Sequence, residues 1–130
     1  MPSFSQASQD KLATCVQPLQ DVFNEVIQHI DCTILCGHRG QEEQDEAYRA
    51  GRSKLKWPEG KHNRSPSEAV DVAPYPVNWT NLQRFCVFAG FALGIAAMKG
   101  INIRWGGDWN KNYDTGDERF IDMPHFEVTT

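Results

Sequence analysis

The sequence predicts an α+β fold, a small and mainly antiparallel sheet packed against helices. Three observations carry that expectation. Helical and strand-like patterns alternate along the chain in the order α-β-α-β-α-β-β. The strand-like runs are short and bounded by Gly, Pro, Asn or Asp. The chain has 130 residues, 40% of them apolar, which suits a single domain (1–130) with one core.

From Ser8 to Ile30, residues Leu12, Cys15, Leu19, Val22, Phe23, Val26 and Ile30 recur at helical spacing. Ser8 is the expected N-cap, and Pro18, which lacks an N–H, is expected to kink or split the helix. CTILC (Cys32 to Cys36) reads as a strand. QEEQDEAYRAG reads as a polar helix ended by Gly51. The segment from Arg52 to Glu68, RSKLKWPEGKHNRSPSE, reads as one long loop, a length that in compact domains marks function or disorder. AVDVAP (Ala69 to Pro74) reads as a strand. Val77 to Gly100 reads as the main buried helix, capped by Thr80 or Asn81 and ended by Gly100. INIRWGG then reads as a strand, DWNKNYDTGDER as a turn-rich loop and RFIDMPHFEV as one or two short strands. No internal repeat or low-complexity tract interrupts this order.

Composition excludes several classes. The net charge of -4 argues against non-specific nucleic-acid binding, which needs a basic surface. The longest apolar run, Cys86 to Met98, is too short to span a bilayer, so no membrane insertion is expected. MPSFSQASQDK is not a secretory leader, so synthesis in the cytoplasm is expected. Cys15, Cys32, Cys36 and Cys86 sit in apolar contexts and are expected to be buried thiols. Strand alternation would place Cys32, Ile34, Cys36 and His38 on one face, which is no tetrahedral metal cage. His29 is expected to be a helix-terminal residue.

Asp71 is the anomaly. A carboxylate in the middle of AVDVAP is costly to bury unless something pairs with it. His62, Asp71 and His125 together supply the three nitrogen and oxygen ligands of a catalytic zinc site. Asp122, three residues before His125, is a spare carboxylate suited to general-base work. Taken singly, each has a plainer reading: His62 a solvated loop residue, Asp71 a cap or ion-pair partner, His125 a satisfied strand histidine.

His62 and Asp71 in HNRSPSEAVDVAP, followed downstream by Asp122 and His125 in DMPHFE, resemble the zinc peptidases of the bacterial cell wall. That family includes D-alanyl-D-alanine carboxypeptidases and dipeptidases and the phage L-alanyl-D-glutamate endopeptidases, or VanY-like endolysins. Its pattern is Ser-x-His, then Ala-x-Asp, then Asp/Glu-x-x-His. GHRGQEEQ, with Arg39 and Gln44, and WGGDW (Trp105 to Trp109) match further elements in order. Two positions depart. Gly60 stands where Ser is usual, and eight residues separate His62 from Asp71, two more than the commonest spacing.

The resemblance implies a hedgehog/DD-peptidase-like fold and zinc held by His62, Asp71 and His125. It implies Asp122 as general base. Arg39 would bind either the oxyanion or a substrate carboxylate, and Gln44 would orient Arg39. Asp108 is either a turn residue after Gly-Gly or the acceptor for a ligand histidine's N–H. Trp57, Tyr75, Trp105 and Trp109 would line a substrate groove or lie in the core. Six basic residues from Arg49 to Arg64 form a solvated loop or one that meets the anionic wall polymer.

The expected reaction is zinc-dependent hydrolysis of an amide bond in the peptidoglycan stem peptide, with L-alanyl-D-glutamate the leading scissile bond. The alternatives are a D,D-carboxypeptidase or dipeptidase of the same family, or an inactive zinc-stabilised wall-binding module. A monomer is expected, and with only five residues after His125 no separate wall-binding domain is expected. It would be made in the host cytoplasm and act on peptidoglycan after release through a membrane pore.

Overall fold

The computed structural model describes residues 2–130. Its elements are α1 (Gln6–Leu12), α2 (Gln17–Val26), β1 (Cys32–Cys36), α3 (Gln41–Arg49), a 3₁₀ turn (Lys61–Asn63), β2 (Ala69–Pro74), α4 (Leu82–Met98), β3 (Ile103–Trp105) and β4 (His125–Val128). The α+β expectation holds.

The expected first helix is two helices. Ser5, not Ser8, caps α1, its hydroxyl accepting the Ser8 N–H. Ser8 is buried inside α1, where its hydroxyl accepts the Ile34 N–H at 3.0 Å and ties α1 to β1. Pro18 falls in the first turn of α2, where a missing N–H costs nothing. The break between the helices is itself used. Ser67 N–H donates to Thr14 O, and Val16 N–H donates to Ser67 O, so the segment entering β2 is pinned there.

Glycines end α3 and α4 as the sequence predicts. At α4, Gly100 N–H donates to Ala97 O and Ile101 N–H donates to Ala96 O, with Gly100 at φ +70°. Gly51, at φ +77°, closes α3 with the same pair of bonds. This left-handed residue is cheap only without a Cβ. Asn81 caps α4, its side chain accepting the Arg84 N–H.

The sheet runs β1-β2-β4-β3, antiparallel throughout. Directly opposed residues share a face. One face carries Ile34, Val70, Val72, Phe126 and Trp105 and packs on α2 and α4. Phe126 meets Phe23 edge-on at 5.1 Å and Phe88 at 6.3 Å. The other face carries Asp71 opposite His125, and Glu127 opposite Arg104. Alternation along AVDVAP therefore turns Asp71 away from the core.

β1 breaks its own alternation. A register shift between Ile34 and Cys36 sets Cys36 opposite Asp71, so Cys36 leaves the face of Cys32 and Ile34. Four buried thiols are not found: Cys15 and Cys32 are buried, with burial pushing both up to about 12, while Cys36 and Cys86 are half-buried. All four are free. His29 lies just past α2, bonded to Glu25 at 2.7 Å. Among the described residues no helix is long and apolar enough to cross a membrane.

Phe23 is fully buried at the junction of α2 and the sheet. Phe23→Ala is expected to lower the unfolding free energy by about 3–5 kcal/mol, the usual cost of such a cavity. Denaturant titration reads it, and a loss under about 1 kcal/mol would show that the core does not depend on this contact.

Candidate metal centre and active site

The polar face of the sheet floors a cleft of about 820 Å³. His62 enters from the 3₁₀ turn, Asp71 from the middle of β2 and His125 from the first position of β4. Their ligand atoms lie within 4.8 Å of one another. His62 Nε2 is 3.2 Å from Asp71 Oδ1, and His125 Nδ1 is 3.3 Å from the same oxygen. The remaining ring nitrogens have protein partners: His62 Nδ1 is 2.7 Å from Gly37 O, and His125 Nε2 is 2.8 Å from Glu127 Oε1. Each histidine thus anchors one nitrogen in the protein and turns the other towards Asp71. Two imidazole nitrogens and a carboxylate oxygen converging beside an open cleft fit a catalytic zinc site, which keeps a position for substrate.

The electrostatics agree with that fit. Burial alone would push the His62 imidazolium down, but the hydrogen bond and charge of Asp71 hold it up at about 10. His125 is raised in the same way, against burial, by Asp71 and Glu127. Burial would raise Asp71, yet the two histidines hold it well below the usual carboxylate range. The two imidazoles thus favour positive charge beside the Asp71 carboxylate, at the point where a dication would also meet it.

Asp122 lines the same cleft. Burial pushes its carboxyl pKa up and the Asp71 charge adds to this, while His125, His62 and Arg39 oppose it. A raised carboxyl is better matched to proton transfer near neutral pH.

The backbone around Asp122 and His125 is held by Gly106. Its N–H donates to His125 O at 2.7 Å, and its carbonyl accepts the Asp122 N–H at 2.8 Å. A Cβ there would lie 2.2 Å from Asp122 O, so only glycine allows this approach. That is the physical content of the WGG run. Trp105 is buried and donates from Nε1 to Met123 O. Trp109 lines the cleft, its ring 5.4 Å from that of His125. Tyr75 is exposed, and neither it nor Trp57 lines the cleft.

Arg39 lies beside the donors, Nη2 3.6 Å from Asp71 Oδ2, with Nη1 donating to Gln44 Oε1 at 3.1 Å. Gln44 is fully buried and donates to Ser53 Oγ and Leu55 O, so it links Arg39 to the basic loop. Part of that loop is cleft wall: Arg52, Lys54, Lys61 and Arg64 line it, and Lys54 sits 4.6 Å above the Phe120 ring.

Asp108 is outside the cleft lining. Its carboxylate accepts the N–H groups of Asn112 and Tyr113, the bonds of a turn residue. The acceptor for a histidine N–H is Glu127, which sequence reasoning missed. Strand alternation offered a signal, because residues 125 and 127 of one strand share a face. Burial would raise the Glu127 carboxyl, but His125 and Arg104 hold it down at about 2. Asn63 was also missed. It donates to Arg39 O and Gln44 Oε1 and accepts the Gly60 N–H, and no pattern in the sequence marks it.

Comparison with known proteins bears on the family of the chain. A family model described as phage L-alanyl-D-glutamate peptidase matches residues 2–129. The chain is 31% identical over 120 residues to the L-alanyl-D-glutamate peptidase of Escherichia phage T5, covering 88% of this chain and 87% of that one. It is also similar to the crystal structure of the Serratia marcescens L-Ala D-Glu endopeptidase ChiX, with a TM-score of 0.76, 26% identity, and coverage of 98% of this chain and 90% of the other. A match running from residue 2 to residue 129, supported by relatives aligned over nearly their full length, places this chain in the phage L-alanyl-D-glutamate peptidase family.

Proposed function

We propose that this chain is a zinc-dependent endopeptidase that hydrolyses the L-alanyl-D-glutamate amide bond of the peptidoglycan stem peptide. The observation that carries the reading is the convergence of His62 Nε2 and His125 Nδ1 on Asp71 Oδ1, at 3.2 and 3.3 Å, in a chain of this family. Those three atoms would hold the metal. When bound, zinc supplies Lewis acidity, polarising a carbonyl and lowering the pKa of water beside it to about 7.

The chain's own residues do the rest. Asp122 accepts the proton of the attacking water and returns it to the leaving amine as the C–N bond breaks. Arg39, fixed by Gln44 and Asp71, has donors left over for negative charge on the substrate, either the developing oxyanion or a carboxylate next to the scissile bond. Trp109 covers the His125 ring and helps exclude water from that side. All these groups come from one chain, which supports action as a monomer. In an infected cell the reading is that of an endolysin, made in the host cytoplasm and reaching the wall through a separate membrane pore.

Mass spectrometry of fragments released from purified peptidoglycan, with and without a chelator, tests the reaction. The expected products end in L-alanine and begin with D-glutamate, and the chelator abolishes them. Release of free D-alanine instead would establish a carboxypeptidase.

Asp122→Ala is expected to keep stoichiometric zinc and the fold while kcat falls about 10²–10⁴-fold. Wild-type turnover in that variant would rule out Asp122 as the base.

Metal uptake should release protons. Asp71 raises both imidazoles, His62 to about 10 and His125 in the same direction, so protons compete with a metal for the nitrogens that face Asp71. Zinc affinity measured across a series of pH values should rise towards alkaline pH, with protons released on binding. A zinc affinity that stays constant across the pH range where imidazoles titrate would contradict histidine ligation.

A further inference from the structure

We propose that Glu127 is a positioning residue for the metal centre: it orients His125 and ties the segment bearing His62 to the strand bearing His125. This rests on the reading of His62, Asp71 and His125 as metal ligands.

Glu127 is buried on the polar face of the sheet, two residues beyond His125. Its two carboxylate oxygens have separate work. Oε1 is 2.8 Å from His125 Nε2, while Oε2 is 2.6 Å from Arg104 Nη2 and 3.2 Å from Lys61 Nζ. A histidine that donates from Nε2 to a carboxylate keeps its lone pair on Nδ1, the nitrogen that faces Asp71. The carboxylate also makes the imidazole a more basic, stronger ligand.

The second oxygen reaches further. Lys61 directly precedes His62, and its ammonium also bonds Val128 O. Arg104 lies opposite Glu127 in the β3–β4 register. Glu127 therefore joins the 3₁₀ turn, β3 and β4 at one point. A carboxylate present only to neutralise Lys61 and Arg104 would not need an oxygen aimed at His125, and it would leave metal affinity alone.

The test compares wild type, Glu127→Ala, Glu127→Gln and His125→Ala. Zinc affinity is measured by competition with a chromophoric chelator, and thermal unfolding is followed on the metal-free proteins. Glu127→Ala is expected to bind zinc about 10–100-fold more weakly while remaining folded. Glu127→Gln keeps an oxygen acceptor without the charge and should lose about tenfold, the low end of that range. If the alanine variant does not fold, the isosteric glutamine variant decides alone. Folded Glu127 variants with wild-type zinc affinity, even if less heat-stable, would overturn the positioning role. His125→Ala separates the two ideas: loss of tight zinc binding there upholds the ligand set, whereas retention would refute the ligand set itself.

Discussion

One carboxylate organises this protein. Asp71 sits mostly buried in the second strand from the edge of a small sheet, and a buried charge without partners costs several kcal/mol. The chain answers with three nitrogen-bearing partners from three directions. His62 arrives from a 3₁₀ turn, His125 from the neighbouring strand and Arg39 from the stretch after β1. Each partner is itself held from behind, by Gly37 O, Glu127 and Gln44 respectively. The polar centre is thus nearly closed in its own hydrogen bonds and open on the side of the cleft.

The same sheet serves core and site because a strand alternates its faces. Val70, Val72 and Phe126 lock β2 and β4 against α2 and α4, and that packing sets the register for Asp71, His125 and Glu127 on the reverse side. A one-residue slip would exchange the two sets, burying the charges and exposing the apolar residues. Core packing and site geometry are therefore one constraint. The β1 irregularity is its local exception, bringing Cys36 onto the site face and Sγ to 3.9 Å from His62 Nδ1.

The cleft wall gives the acidic chain a basic local surface. Four cationic side chains from the loop line it, although the net charge is -4. Lys61 and Arg64 are neutralised by Glu127 and Glu68. Arg52 and Lys54 lie further along the wall, Lys54 over Phe120. Charge concentrated at a cleft guides encounter with anionic ligands even when the overall charge is unfavourable.

Much of this was legible in the sequence. Apolar periodicity placed the helices and strands. Pro18 marked the split in the first helical segment. Gly51 and Gly100 marked helix ends through backbone freedom that no other residue has. The grouping of His62, Asp71 and His125, which the structure brings within 4.8 Å, was readable as a candidate because few side chains suit a metal. These are local properties, set by each residue and its near neighbours. What the sequence alone left open depended on distant partners. Ser8 looks like a cap until Ile34, 26 residues away, occupies its hydroxyl. Asp108 and Glu127 are both acidic residues near the motif, and only the turn around Asn112 and the β4 register assign one to a loop and the other to His125. Asn63 and Gln44 read as ordinary polar residues until folding buries them together beside Arg39. Hydrogen-bond partners inside a protein are chosen by three-dimensional proximity, and the tertiary structure alone supplied it.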